Sequence, residues 1–191
     1  MTPLLLAAAL AAPPGFVEVK EAQGCALFKG PTEADGVTPM HAECHWPEVD
    51  VAHLQSKLGD YAAYDELIFA ITTSEPRRTE GGRTLVHQVQ ETWGISTREV
   101  LVWMSTTPVE GGVRYTWETA GSEPLEVPDG RVRSPRNEGF WEVGPHPEGG
   151  ARVVHRVAYD PGGSVPDWVV RRAQVGGMLD VMKDVRAAGV P

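Results

Sequence analysis

The end of the chain, residues 160–189, decides most of what the rest can fold into. It opens on a turn cluster, Asp160-Pro161-Gly162-Gly163-Ser164, then runs through Val165-Pro166-Asp167-Trp168 into a pattern that predicts one long helix to about Ala188. Ser164 or Asp167 can accept from the free N–H groups of a first turn, and Pro166 suits a position that needs no donor. Apolar or small residues recur at Trp168, Val175, Leu179, Met182 and Val185, with a second row at Val169, Ala173 and Gly176. Arg171, Lys183, Asp184 and Arg186 fall on the wet side, and Gly189 is a stop. Such a helix is on the order of 34 Å long, enough to cross a small domain. What precedes it reads as antiparallel strand. A single helix closing a chain of strands buries its stripe only by lying across the sheet.

The strands are legible from alternation. Residues 18–29 and 37–46 form a hairpin around Gly30 to Gly36, and in the second strand Met40, Ala42, Cys44 and Trp46 alternate with His41, Glu43 and His45. With the hairpin centred on residues 34 and 35, Cys25 lies directly opposite Cys44, within reach of a disulfide on the inner face. Two free buried thiols remain the other reading. Pro47 ends the strand. Asp50 can cap a short helix to Leu58 and Asp60 a second to about Ile68, with Gly59 between them. Further strands are predicted over 69–78, 84–93, 99–106, 113–119, 140–143 and 152–159, with Val132-Arg133 in a turn-rich stretch. The class is α+β in one domain, residues 16–191.

Sidedness follows from the same alternation. On the last strand Val153, His155, Val157 and Tyr159 are expected inward. On the 84–93 strand the set Leu85, His87, Val89, Glu91 and Trp93 is the better inner candidate. The inner wall would then mix apolar residues with His87, Glu91 and His155, which need partners in each other or in a ligand.

Several motifs are similar to those of START domains, lipid-binding members of the Bet v 1-like SRPBCC superfamily. They are Gly24-Cys25-x-Leu27, Ala42-Glu43-Cys44-x-Trp46-Pro47, Arg98-Glu99, Val132-Arg133, Gly139-Phe140-Trp141 and the Asp160–Trp168 cluster. The resemblance spans roughly residues 17–188, with Arg98-Glu99 standing where that family often has Arg-Asp. It implies a helix-grip fold, a curved antiparallel sheet wrapped around the terminal helix, with two short helices after the first hairpin. It also implies a hydrophobic molecule held between sheet and helix, without a cofactor. Leu85, His87, Val89, Glu91, His155, Val157, Val169, Ala173, Gly176 and Gly177 are the candidate lining residues. Gly176-Gly177 leaves room for a ligand or marks a close approach of a neighbouring strand. Each glycine costs about 1 kcal/mol relative to alanine, so the pair needs compensation.

Other functions find little support. A net charge of −9 over 191 residues argues against nucleic acid and against constitutive docking on an anionic membrane, leaving transient contact at most. There is no nucleophile elbow, no His-Glu-x-x-His, no phosphate loop and no dinucleotide fingerprint. His41 and His45 are too far apart along a strand, roughly 13 Å, to share an ion. A non-catalytic monomeric lipid binder is the leading expectation. A cyclase or hydrolase using a pair such as His87 and Glu91 is the second, and an adaptor with a filled interior the third. Residues 1–15 form an apolar leader, Leu4 to Ala12 having the length of a signal-peptide core with an Ala-x-Ala site at Ala9–Ala11, though no basic residue precedes it. Export to the periplasm or beyond is expected; an apolar N-terminus on a cytoplasmic protein is the alternative.

Overall fold

The computed structural model describes residues 12–92, 94–165 and 173–191. Its strands are β1 (Val17–Ala22), β2 (Cys25–Lys29), β3 (Met40–Trp46), β4 (Ile71–Glu80), β5 (Arg83–Gln90), β6 (Arg98–Val109), β7 (Gly112–Thr119), β8 (Val132–Arg133), β9 (Arg136–Pro145) and β10 (Ala151–Asp160). They form one curved sheet in the order β1-β2-β3-β10-β9-β7-β6-β5-β4. All neighbours are antiparallel except β8, which runs parallel to the start of β6 beyond the stretch that β7 covers. Between β3 and β4 lie α1 (Val51–Gly59), a 3-10 turn (Tyr61–Ala63) and α2 (Tyr64–Leu67). The chain closes with a π-helical turn (Ala173–Gly177) that leads into α3 (Met178–Ala188). This is the expected helix-grip arrangement.

The first hairpin shows what local chemistry decides. Cys25 pairs with Cys44, and the two are bridged with their Cα atoms 4.0 Å apart. The extended stretch expected over 18–29 is instead two strands. Gln23 and Gly24 both take left-handed backbone, with φ of 59° and 73°, and turn β1 back onto β2. β1 is an edge strand whose Glu18, Lys20 and Glu21 are exposed, and charges there discourage pairing with another chain. Asp50 caps α1 as its position predicts, accepting from the His53 N–H at 2.7 Å. Asp60 makes no such side-chain bond; the 3-10 turn intervenes, and α2 shrinks to a single turn.

The core lies between the inner face of the sheet and the helices. Ala42, Cys44 and Trp46 of β3 meet Leu54 and Leu58 of α1 and the stripe Met178, Met182 and Val185 of α3. Each large aliphatic chain buried there contributes roughly 1.5–3 kcal/mol. The Met182 Sδ lies 3.8 Å from the Cys44 Sγ, so α3 rests on the disulfide. Its end is fixed where the Asp50 N–H donates to the Gly189 carbonyl at 3.0 Å. At Gly139 a Cβ would stand 2.0 Å from the Arg156 carbonyl oxygen and 2.8 Å from Trp117, so only glycine lets β9 bend this tightly between β7 and β10. The entry to the terminal helix, with Trp168 and Val169, lies outside the described residues.

Candidate ligand-binding site

The inner face beneath the terminal helix is built from β10, β9 and β7, with β5 and β6 beyond. On β10 the expected sidedness holds: Ala151 and Val153 join the core and Val157 packs against it. His155 lies on this face, 5% exposed, its ring stacked on Trp141 at 3.7 Å and 20° and next to Trp117 at 5.7 Å. Its Nδ1–H donates to the Phe140 carbonyl at 3.2 Å. Burial pushes the imidazole down to about 3, with the charge of His41 adding to the effect and the Phe140 bond opposing it, so the ring is neutral at physiological pH. Trp117 donates its indole N–H to Asn137 at 2.8 Å. Four residues beyond His155 on β10, the Tyr159 hydroxyl is pushed up to about 12 by burial.

On β5 the expected sidedness is reversed. Val86 packs in the main core with Val100, Val102 and Met104 of β6, and Gln88 is buried beside them on the inner face. Leu85 faces outward into a second, smaller cluster with Leu101, Ala120 and Leu125, and alternation carries His87 and Val89 to the same outer side. The reason is that the outer face is covered here too, by the segment that leads through Ala120 to β8. Both sets of side chains are therefore buried, and apolar content cannot tell them apart.

His87 does not meet Glu91. Its Nε2 lies 2.5 Å from the Glu99 carboxylate, which is 1% exposed and also takes Arg131 at 2.6 Å, while Arg77 donates to its Nδ1 at 2.8 Å. Burial raises the Glu99 carboxyl, but the bonds and charges of Arg131 and His87 outweigh it and hold the group below the usual carboxylate range. Glu91 lies past the end of β5 on an open groove of about 530 Å³ with Phe69, Thr72, Thr92, Ile95 and Thr97. Neither is a wall of the inner face.

Arg98 and Glu99, adjacent in one strand, point to opposite faces. Arg98 is buried on the inner side, where its guanidinium donates to the carbonyls of Pro161 at 3.0 Å, Gly162 at 3.1 Å and Ser96. It thus ties the turn cluster ahead of the terminal helix to β6. Trp117, Gln88 and Arg98 are inner-face residues that the pattern reading did not select; the parity of Val86 and Val100 on their strands is the signal that places the last two.

The cover contributes glycine. Gly176 sits in the π-helical turn, where a Cβ would meet nothing within 4 Å among the described residues. Gly177 follows it as the N-cap of α3 with ordinary helical backbone. Single π-helical turns break the regular ladder and recur at functional sites. Ala173 opens this turn, and Val169 lies outside the described residues.

No family model matches the chain. An uncharacterized protein of Pseudomonas aeruginosa is 26% identical over 156 residues, covering 80% of this chain and 73% of that protein. Among solved structures, a STAR-related lipid transfer protein fragment from Xanthomonas axonopodis superposes with a TM-score of 0.77 at 20% identity, covering 91% of this chain and 97% of that one. Human StAR-related lipid transfer protein 5 gives 0.77 at 16%, covering 93% and 88%. A Streptomyces aromatase/cyclase gives 0.56 at 13%, covering 79% and 93%. The chain therefore has a helix-grip fold, the fold of these solved lipid transfer structures.

Proposed function

We propose that the protein holds one hydrophobic small molecule, a lipid with an acyl, sterol or isoprenoid body, between the inner face of the sheet and the terminal helix, and carries it unchanged. The observation that carries this reading is the state of the inner wall around His155. An imidazole there is held neutral between indole rings, and Tyr159 is held in its phenol form. Such a wall disfavours charge and rewards the desolvation of an apolar body. Val157 belongs to this wall, and Gly176 and Gly177 to its cover; Leu85, His87, Val89 and Glu91 are removed from it by their outward or peripheral positions. The solved lipid transfer structures with the same fold support the class of ligand.

The fold is shared with an aromatase/cyclase, which keeps catalysis as the competing reading. The acid–base pair suggested for that reading, His87 with Glu91, is not formed. His155 at about 3 offers neither an acid nor an effective base near neutral pH, which favours binding over chemistry. The disulfide between Cys25 and Cys44 supports export, in agreement with the apolar leader. We place the protein in the periplasm or beyond as a monomer. Phe69, 91% exposed at the rim of the groove near Ile95, supplies transient contact with a membrane during loading.

Native mass spectrometry of protein purified from an oxidising compartment tests the reading. An added mass that disappears on organic extraction and is identified as a lipid is the expected result. Protein that carries none, and binds no fluorescent fatty acid, sterol or polyprenol, would overturn it.

A further inference from the structure

The turn between β9 and β10 gathers a second set of donor side chains, on the opposite side of the sheet from His155. His45 lies on the outer face of β3, opposite Arg152 of β10. His146 follows the last residue of β9, and Glu148 stands at the tip of the turn. The two imidazole rings are stacked at 3.6 Å with an angle of 19° between them. One donor atom from each of His45, His146 and Glu148 lies within 4.8 Å of the others.

The group is held by its surroundings. The His45 Nε2 is 2.9 Å from the Gly149 carbonyl oxygen. A carbonyl only accepts, so Nε2 carries the proton and Nδ1 keeps its lone pair. Metal-binding histidines are oriented in this way, by a carbonyl that fixes the tautomer through the other ring nitrogen. The turn is closed by the His146 N–H on the Gly150 carbonyl at 3.1 Å and the Gly149 N–H on the His146 carbonyl at 3.0 Å. It is also pressed against the end of β3: a Cβ at Gly150 would stand 2.3 Å from the Trp46 oxygen and 2.4 Å from the Pro47 Cα. The Nδ1 of His146 accepts from the Glu148 N–H at 3.2 Å, a contact that an ion on that nitrogen replaces. Glu48, near His45, is engaged by Arg186 and stays out of the set.

We propose that His45, His146 and Glu148 form a surface site for one divalent transition metal ion, Zn²⁺ or Cu²⁺, with water in the open coordination positions. Two imidazoles and one carboxylate suit these ions and are a poor set for Ca²⁺ or Mg²⁺, which take oxygen. Donors on bonds of about 2.0–2.1 Å stand roughly 3.3 Å apart in a tetrahedral site. The three side chains therefore close by up to about 1.5 Å, the half-buried His146 ring turning out of its stack on His45 so that both in-plane lone pairs meet the ion, and the exposed Glu148 following. The ion joins the end of β3 to the β9–β10 turn.

The test is calorimetric titration of the untagged, chelator-treated chain with ZnCl2 and with CuSO4, alongside thermal unfolding. One ion per chain is expected, with a higher melting temperature in its presence. His45→Ala and His146→Ala should each weaken binding at least about tenfold and abolish the thermal shift. Glu148→Gln should weaken it less, and His53→Ala should leave it unchanged. His146 and Glu148 lie on a surface turn, so their variants keep the fold even where His45→Ala does not. Absence of binding at millimolar ion overturns the proposal. So does binding undiminished in His146→Ala, which puts the ion elsewhere, or competition by Ca²⁺ at equal concentration, which makes the site one of carboxylates.

Discussion

His155 on the inner face and His87 on the outer face are both imidazoles within the sheet, and their surroundings differ in kind. His155 is stacked on Trp141 beside Trp117, donates to a backbone carbonyl, and is held neutral by burial. His87 is placed against the Glu99 carboxylate, with Arg131 and Arg77 completing a charged network under the β8 segment. Burying a polar ring costs free energy either way; one side offsets it with aromatic packing, the other with charge pairing. The difference teaches where a ligand of each kind could sit. The outer network already satisfies its own groups and asks for nothing. The inner wall penalises charge, and its buried cation, Arg98, is spent on three backbone carbonyls.

The strongest way to break this contrast is to remove the aromatic wall. Trp141 is 1% exposed, and Trp141→Ala should cost roughly 3–5 kcal/mol in denaturant unfolding. A loss under about 1 kcal/mol would mean that the wall is already loose around His155. Acid provides the next largest effect. The folded value of His155, about 3, lies below its ordinary value of 6.5, so the unfolded chain binds the proton first. Its contribution to stability is fully present above about pH 6.5 and is lost as pH falls from there toward 3, by on the order of 5 kcal/mol. His155→Phe should flatten the stability profile over that window. The carboxyl of Glu99 is also depressed, so its contribution is present above the ordinary carboxylate range and disappears only as pH falls through its lower folded value. An unchanged slope between pH 6.5 and 5 in His155→Phe would put the acid sensitivity elsewhere.

On the outer face the effect is smaller, because one partner is wet. Arg131 is 39% exposed in its side chain, so solvent screens much of its attraction for Glu99. Arg131→Ala should cost about 1–2 kcal/mol, since the buried carboxylate keeps His87. Adding Glu99→Gln to Arg131→Ala should recover part of that loss. If the double variant is no more stable than the single one, Glu99 is held by packing and not by charge.

Much of the frame was legible in the sequence, for physical reasons that also mark its limits. The alternation of Met40, Ala42, Cys44 and Trp46 fixes the inner face of β3, because only one side of that strand is apolar. A turn centred on residues 34 and 35 puts Cys25 opposite Cys44, and the two are bridged. The sidedness of β5 is not legible because both of its faces are covered, so Leu85 and Val89 look like core from either side. Gln88 is buried on the inner side without any apolar signal. The pairing of His87 with Glu99 needs the β5–β6 register, and the meeting of His45 with His146 needs the β3-β10-β9 order. Neither follows from spacing along one strand.

The smallest expected effect concerns the cover over the inner face. Among the described residues an added Cβ at Gly176 would touch nothing within 4 Å, and its backbone is not in the left-handed region. Gly176→Ala should therefore stabilise the ligand-free protein by up to about 1 kcal/mol, the gain in helix propensity, with no contact to oppose it. Gly176→Leu extends the same test into whatever space lies beyond the Cβ. If that space belongs to a ligand, lipid binding falls while stability holds or rises, and the two measurements separate. If it opens to bulk water, both binding and stability stay near the alanine values. A loss of several kcal/mol in the ligand-free protein would instead show the leucine forced against the sheet. The helix would then pack on the inner face as closely as the β8 segment packs on the outer one, and the contrast between the two faces would reduce to their charge.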